Sequence, residues 1–313
     1  MKPFFKTLFW TSFVAMTIFA KPLRLIAADT FMDQVRNDFK VGRASEAVVL
    51  LQQEAARGNP EAQYGLGVIY EGGLPSAGIT QNETKAFQFY SSAAQNGHAP
   101  SQNNLGLLYY TGRGTSKDFA EAIRWYEKAA AQGDAMAQCN LGTMYYRGDG
   151  VAKDLKKALA LYLQSAEKGN VTAENNLGFM YEHGLGTARD FHEALHWYER
   201  AARSGHRYAE RNLAEMYEYG AGAKRSYSEA LTWYKKAAAK GYPHAQMKLG
   251  RLYEHGWGTP KDLVEAYAWY WLAAQGGNTK AKEALSRLEP HLNAAQLSDA
   301  HGRVQKWSIE EKP

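Results

Sequence analysis

Two Glu-His-Gly triplets, Glu182-His183-Gly184 and Glu254-His255-Gly256, contain side chains of the types that bind zinc. They occupy the same position in two units of the internal repeat described below, with one unit between them. If each unit adds one helix diameter, the two histidines lie roughly 20 Å apart. One zinc ion needs its ligands at about 2 Å, so a shared site is excluded. The triplets are better explained as the polar lining of a surface, and we expect no metal and no cofactor.

Cys139 is the only cysteine in the chain. One thiol cannot close an intramolecular disulfide, so the sequence favours a small apolar filler, with an intermolecular bridge as the alternative. Its position in a predicted helix is compatible with a groove. No sequence context suggests a Ser-His-Asp or Cys-His arrangement. We therefore expect no catalytic residues and no enzymatic activity.

Gly-x-Gly pairs recur along the chain, and such turns bind phosphate when they connect a strand to a helix. Here no strand pattern precedes them, and they return at a regular spacing, so we interpret them as helix ends. The pairs are Gly112/Gly114, Gly148/Gly150, Gly184/Gly186, Gly220/Gly222 and Gly256/Gly258.

The glycine pairs belong to a repeat of 36 residues that is clearest in residues 137–172. Repetition at a fixed period is the signature of stacked-repeat architectures. In each unit, Ala137, Leu141 and Tyr145 or their equivalents lie four apart and form the apolar stripe of a first helix, helix A. The Gly after Leu141 has no side chain, so it allows another helix to approach closely.

A second helix, helix B, follows the glycine turn. Asp118 with Glu121 forms a capping-box pattern at its start, and the Trp125-Tyr126 pair falls in the core by periodicity. One repeat is therefore a helix-turn-helix hairpin. Because a hairpin cannot bury its own apolar face, the units must stack into a solenoid with contacts between neighbours.

These columns resemble the Sel-one-like repeat (SLR) family, a relative of the tetratricopeptide repeats. The resemblance covers residues 62–277 and implies an all-α, right-handed superhelical solenoid whose concave side is lined by the A helices. In one unit the matching residues are Gly142, Tyr145, Gly148, Gly150, Val151, Asp154, Ala158, Tyr162, Ala166 and Gly169.

The chain divides by sequence into a leader, a repeat array and two ends. Residues 1–28 combine lysines with an apolar run, the layout of a cleaved signal peptide, and the run is short for a membrane span. We expect residues 29–58 to form a degenerate capping hairpin and residues 278–313 to form capping helices and a tail. The six predicted repeats are 59–97, 98–133, 134–169, 170–205, 206–241 and 242–277.

The formal charge of +5 belongs mostly to the leader. Residues 1–28 contain four basic residues and no acidic one, so the remainder carries a formal charge of +1. This near-neutral balance lacks the basic footprint of a nucleic-acid-binding protein. We expect a periplasmic or secreted bacterial protein that is monomeric and is not inserted in the membrane after cleavage.

Helix A positions that vary between units on the expected concave side are the candidate partner-binding residues. They change from aromatic at the N-terminal end of the array to acidic at the C-terminal end, as suits a peptide-binding surface. The candidates are Tyr110, Tyr146, Arg147, Phe179, Glu182, His183, Glu215, Glu218, Tyr219, Arg251, Glu254 and His255.

The expected function is non-covalent binding of a protein or peptide along this groove. The resemblance implies an adaptor in envelope assembly, signalling or secretion. A cysteine-rich branch of the family is associated with β-lactam binding and hydrolysis, but this chain lacks its paired cysteines. A third possibility is binding of cell-wall glycan by the groove aromatics.

Overall fold

The computed structural model describes residues 30–310 of the 313-residue chain. Over this range the chain forms 16 α-helices and two short 3-10 helices, with one isolated β-bridge between Leu74 and Ile79. The predicted all-α class is confirmed. The predicted signal peptide, residues 1–28, lies outside the described residues. Within the described range, no helix is both long and apolar enough to cross a bilayer.

The chain divides into two compact units, residues 1–154 and 155–313. In the described part of the first unit, each helix packs mainly against its neighbours in sequence within that unit. Helices α3, α5 and α7 are A helices, and α4 and α6 are B helices. The helices are α1 (Thr30–Lys40), α2 (Ala44–Ala56), α3 (Pro60–Gly72), α4 (Glu83–Gln95), α5 (Ala99–Thr111), α6 (Phe119–Ala131) and α7 (Ala135–Arg147), with a 3-10 turn at Pro75–Ala77.

The second unit, described over residues 155–310, follows the same plan. Helices α9, α11, α13 and α15 occupy the A position, α8, α10, α12 and α14 the B position, and α16 packs on α14. The helices are α8 (Leu155–Glu167), α9 (Val171–His183), α10 (Phe191–Arg203), α11 (Arg207–Tyr219), α12 (Tyr227–Ala239), α13 (Pro243–His255), α14 (Leu263–Gln275), α15 (Thr279–Leu288) and α16 (Ala294–Glu310), with a 3-10 turn at Glu289–His291.

Asp118 caps helix α6, as its position predicts. Its carboxylate accepts hydrogen bonds from the backbone N–H groups of Ala120 and Glu121 at 2.9 and 3.0 Å. The reciprocal half of the predicted capping box is wrong, because the Asp118 N–H donates to the carbonyl of Tyr109 instead. The Glu121 carboxylate accepts from the indole of Trp125 at 3.1 Å. The recurring Glu thus fixes the recurring Trp, as it also does at Glu193/Trp197 and Glu265/Trp269.

The glycine of helix A allows a tyrosine of helix B to pack on its backbone. A Cβ on Gly178 would lie 2.5 Å from Cδ1 of Tyr198, whose side chain is fully buried. This confirms the close approach predicted from the Leu-Gly column. The same pairs are Gly67/Tyr90, Gly106/Tyr126 and Gly250/Tyr270.

The second glycine of each turn seats one repeat on the preceding one. Gly222 has a φ of 73°, which favours glycine. A Cβ at this position would also overlap the carbonyl oxygen of Phe191, at the start of the preceding helix B. The turn therefore ends helix α11, as predicted, and lets backbones of successive repeats touch.

In the six repeats, a buried polar side chain near the start of helix A lies close to the end of the preceding helix B. In the Gln copies the side-chain amide donates to a carbonyl eight residues earlier, as Gln246 does to Ala238 at 3.2 Å. Glu174 cannot donate at this position. There Arg200 pairs with the Glu174 carboxylate at 2.8 Å and itself donates to Ala166 at 3.3 Å. Two residues on two helices thus replace one glutamine.

Candidate partner-binding site

Three predicted site residues lie in the first unit, on helices α5 and α7. The hydroxyl of Tyr110 donates to the Asp149 carboxylate and accepts from Arg147, both at 2.9 Å. Tyr146 is half-buried, and the ammonium group of Lys153 lies 5.6 Å from its ring centre. The repeat register therefore brings Tyr110 and Arg147 into direct contact, in a polar network within this unit.

Exposed aromatic side chains lie on the A helices of the second unit. On α9, the rings of Phe179 and His183 stack with centroids 4.2 Å apart. On α11, Tyr219 is 64% exposed. At the end of α13, His255 lies 4.5 Å from the ring of Trp257. These side chains are exposed or half-buried and form the aromatic part of the A-helix face of the second unit, meaning the surface of α9, α11, α13 and α15.

Three glutamates of the same helices accept a hydrogen bond from a tyrosine of the following helix B. The bonds are Tyr198 to Glu182 at 2.7 Å, Tyr234 to Glu218 at 2.6 Å and Tyr270 to Glu254 at 2.7 Å. Glu218 and Glu254 are buried, and Glu182 is half-buried.

The expected acidic end of the exposed face is therefore wrong for Glu218 and Glu254. Their carboxylates point inward to a phenol, and cations cover them from the surface side. Burial opposes ionisation of Glu218, but Tyr234, Lys248 and Arg251 outweigh it and hold the pKa of Glu218 below its ordinary value.

The covering cations come from the next A helix along the chain. The ammonium group of Lys248 lies 3.1 Å from the Glu218 carboxylate, and Arg251 pairs with its other oxygen. One repeat later, Arg287 binds Glu254 through both guanidinium nitrogens. The hydrogen bond from Arg287 is the main reason why the pKa of Glu254 is lowered, with a further contribution from Tyr270.

Glu215 and His244 lie at the other side of this cluster. Arg211 approaches Glu215 at 3.2 Å, and the His244 imidazole is 3.6 Å from it. Burial raises the pKa of Glu215. Burial, together with repulsion from Arg211, Lys248 and Lys280, lowers the pKa of His244 to about 4. His244 is therefore neutral near pH 7.

These side chains surround a cavity of about 520 Å³, the cationic cavity, on α11, α13, α14 and α15. Five predicted site residues line it, and Glu218 lies beneath it. Sequence reasoning missed the other polar residues of the lining. The repeat register carried a signal for them, because Lys280 lies 36 residues after His244 and Arg287 lies 36 residues after Arg251. The lining is Glu215, Tyr219, His244, Met247, Lys248, Arg251, Glu254, His255, Tyr270, Lys280, Ala284 and Arg287.

Cys139 is buried on α7, and burial raises the pKa of its thiol to about 12. It does not face a groove, so the interpretation as a small core side chain fits its surroundings. Among residues 30–310, no three His, Cys, Asp or Glu side chains converge to hold a metal ion. What the cationic cavity offers is fixed charge, hydrogen-bond donors and aromatic surface.

Comparison with known proteins identifies the repeats. The Sel1 repeat profile matches residues 60–98, 99–134, 135–170, 171–206, 207–242 and 243–278, each one residue later than the units counted above. The search of curated proteins gave no significant match.

Two crystal structures share both sequence and fold with the chain. A protective antigen of uropathogenic Escherichia coli strains with an SLR fold is 28% identical, at a TM-score of 0.73. The match covers 92% of this chain and 65% of that one, so the chain spans about two thirds of the antigen's length. A Sel1 repeat protein from Oxalobacter formigenes is 32% identical, at a TM-score of 0.71, over 78% of this chain and 99% of that one. The chain thus belongs to the Sel1 repeat family, whose members generally act as protein-interaction scaffolds.

Proposed function

We propose that this protein is an exported adaptor that binds a partner protein or peptide on the A-helix face of its second unit. The observation that carries the proposal is the cationic cavity, about 520 Å³ in volume and lined by Tyr219 and His255 among others. Exposed aromatic residues beside charged ones are typical of protein-binding hot spots.

The polar groups of the cavity are held in place before a partner arrives. Tyr234 and Tyr270 anchor the carboxylates below, and these carboxylates in turn fix Lys248, Arg251 and Arg287. A pre-ordered surface loses less side-chain entropy on binding. This supports a role as a rigid recognition surface.

Export is the part of the proposal that depends on residues 1–28. Their lysine-flanked apolar run is typical of a signal peptide. Cell fractionation of the full chain and of a chain that begins at Met followed by residue 29 tests it. We expect only the full chain outside the cytoplasm, at a mass reduced by the leader. Equal distribution of the two chains would contradict export.

Site-specific photo-crosslinking tests the binding face. A photoreactive amino acid replaces Tyr219 or His255 on the A-helix face, and exposed Ala239 on helix α12 serves as the control position. In the cells that produce the protein, we expect the first two positions to give the same crosslinked protein and Ala239 to give none. Equal labelling from all three, or no protein crosslink from the first two, would contradict the proposal. Crosslinks to glycan alone would favour the cell-wall alternative.

A further inference from the structure

We propose that the cationic cavity binds carboxylate side chains of an acidic segment in the partner polypeptide. This inference rests on the proposed function and names the chemistry of the ligand. It starts from a charge imbalance at the floor of the cavity. The buried carboxylate of Glu218 faces two cations, Lys248 at 3.1 Å and Arg251, and also accepts a hydrogen bond from Tyr234. Two cations therefore face one carboxylate at this point.

Lys280 adds a further cation, and it has no counter-ion. It lies exposed at the start of α15, lines the cavity, and forms no ion pair with any side chain that the structure describes. Glu254 at the same wall is already bound by Arg287 and Tyr270. Glu215, the other acidic residue of the lining, is paired with Arg211 at 3.2 Å. Both acidic residues of the lining therefore have cationic partners, and Lys280 is available to a ligand.

An unused hydrogen-bond donor of Arg251 also borders the cavity. The Arg251 Nε is buried and has no hydrogen-bond partner among the described residues. Buried donors normally have a partner, and one without it indicates a site for a solvent molecule or a ligand. Burial is the main reason why the pKa of His244 is lowered, and repulsion from Arg211, Lys248 and Lys280 adds to it, as a locally positive potential would. A carboxylate entering here would gain charge-assisted hydrogen bonds.

The rim favours a polypeptide as the carrier of that carboxylate. Tyr219 is largely exposed, and its hydroxyl accepts a 2.7 Å hydrogen bond from Lys248, which orients the ring at the edge of the cavity. His255, one repeat later, also lines the cavity and packs against Trp257. Aromatic surfaces beside a cationic centre suit apolar side chains that flank an acidic residue.

The test uses the chain without its leader and a fluorescent decapeptide of glutamate, acetylated and amidated at its ends, with the glutamine decapeptide as a control. We expect the glutamate peptide to bind, the glutamine peptide not to bind, and affinity to fall with added salt. Lys280→Gln removes a charge but no ion pair, so it should leave folding intact and weaken binding about fivefold. Lys282→Gln on the same exposed helix is the matched control, with unchanged affinity.

Nuclear magnetic resonance gives a second measurement on the same protein. A bound carboxylate reduces the repulsion on His244, so saturating glutamate peptide should raise the pKa of this residue, and Lys280→Gln should lessen that rise. Equal binding of both peptides, or equal loss from Lys280→Gln and Lys282→Gln, would overturn the proposal. If an unblocked glutamine peptide binds through its terminal carboxylate and the blocked glutamate peptide does not bind, the assignment to side chains is wrong. If an oligogalacturonate binds and the glutamate peptide does not, the assignment to a polypeptide is wrong.

The two proposals can fail separately. If Tyr219 crosslinks to a partner in cells while the glutamate peptide does not bind, the adaptor function stands and the carboxylate chemistry is wrong. If the glutamate peptide binds through Lys280 while Tyr219 gives no protein crosslink, the cavity chemistry stands and the adaptor function is wrong.

Discussion

The phenol of Tyr234 on helix α12 donates a 2.6 Å hydrogen bond to the Glu218 carboxylate on helix α11. Both residues are buried. Lys248, also buried, and Arg251 approach the same carboxylate from helix α13. Three helices of two successive repeats are therefore joined at one side chain, which both supports the cavity and sets its charge.

We expect Glu218→Ala to destabilise the protein by about 3 kcal/mol, because it leaves the Lys248 ammonium buried without its counter-ion. Tyr234→Phe removes one hydrogen bond and should cost about 1 kcal/mol. The stabilisation that ionised Glu218 provides depends on pH, because its pKa in the folded protein lies below the ordinary glutamate value. It is complete above the ordinary pKa and is lost as the pH falls through the lowered pKa of the folded state. Urea unfolding at pH 7 measures the free energies.

The control for these variants is Glu167→Ala, at an exposed position near the end of α8. It should change the free energy of unfolding by less than about 0.5 kcal/mol. If Glu218→Ala cost no more than this control, the buried carboxylate would not hold the repeats together.

Gly178→Ala should destabilise the protein by about 2 kcal/mol, because its methyl group would lie 2.5 Å from Cδ1 of the buried Tyr198 ring. Ala214 occupies the equivalent position in the fifth repeat, so the fold accepts a methyl group there. We therefore expect Gly178→Ala to move the two helices apart at a cost in stability, without unfolding the protein. The comparison is Gly302→Ala on α16, where a Cβ meets nothing within 4 Å. That change should stabilise by about 0.5–1 kcal/mol. Thermal unfolding of both variants checks the opposite signs, and equal effects would refute the packing argument.

The fold could be predicted because each element has its own local signal. The Leu-Gly and Gly-x-Gly columns define the ends and the packing side of helix A, and an Asp such as Asp118 defines the start of helix B. The 36-residue period then predicts how the hairpins stack, because hairpins of this kind bury their apolar faces only against their neighbours.

The site was predictable only in part, because burial of a charged residue depends on several helices at once. Glu218 has the spacing of an exposed helix A residue, but its exposure is decided by Tyr234 16 residues later and Arg251 33 residues later. Neither partner is visible from helix α11 alone. The aromatic members of the face needed no such partner, and Tyr219 is indeed exposed.

In one repeat, Glu174 and Arg200 together take the place of the glutamine that binds the end of helix B in other repeats, and this replacement can be tested. Arg200→Met keeps cover over the Trp197 ring but leaves the buried Glu174 carboxylate without its cation, so it should cost about 2–3 kcal/mol. Adding Glu174→Gln should recover most of this loss, because the amide can donate to the Ala166 carbonyl as Gln246 does to Ala238. A double-mutant cycle from urea unfolding measures the coupling. Additive effects of the two substitutions would show that the residues act independently.

His244 should make the protein less stable as pH falls from 6.5 towards 4. Its pKa is about 4 in the folded chain and near 6.5 when unfolded, so over this range only the unfolded state takes up the proton. The full shift corresponds to about 3 kcal/mol, and solvent screening of the side chain, which is 39% exposed, reduces the expected loss to about 1 kcal/mol.

His244→Gln cannot take up this proton, so its free energy of unfolding should fall less steeply over the same range. Urea unfolding at pH 7.5, 6, 5 and 4 gives the two curves. Burial raises the pKa of Glu215, so protonation of this residue favours the folded state as the pH falls. This contribution is present in both the unmodified protein and His244→Gln, and it cancels when their free energies of unfolding are subtracted. Parallel curves would show that burial and the neighbouring cations do not hold His244 neutral in the folded protein.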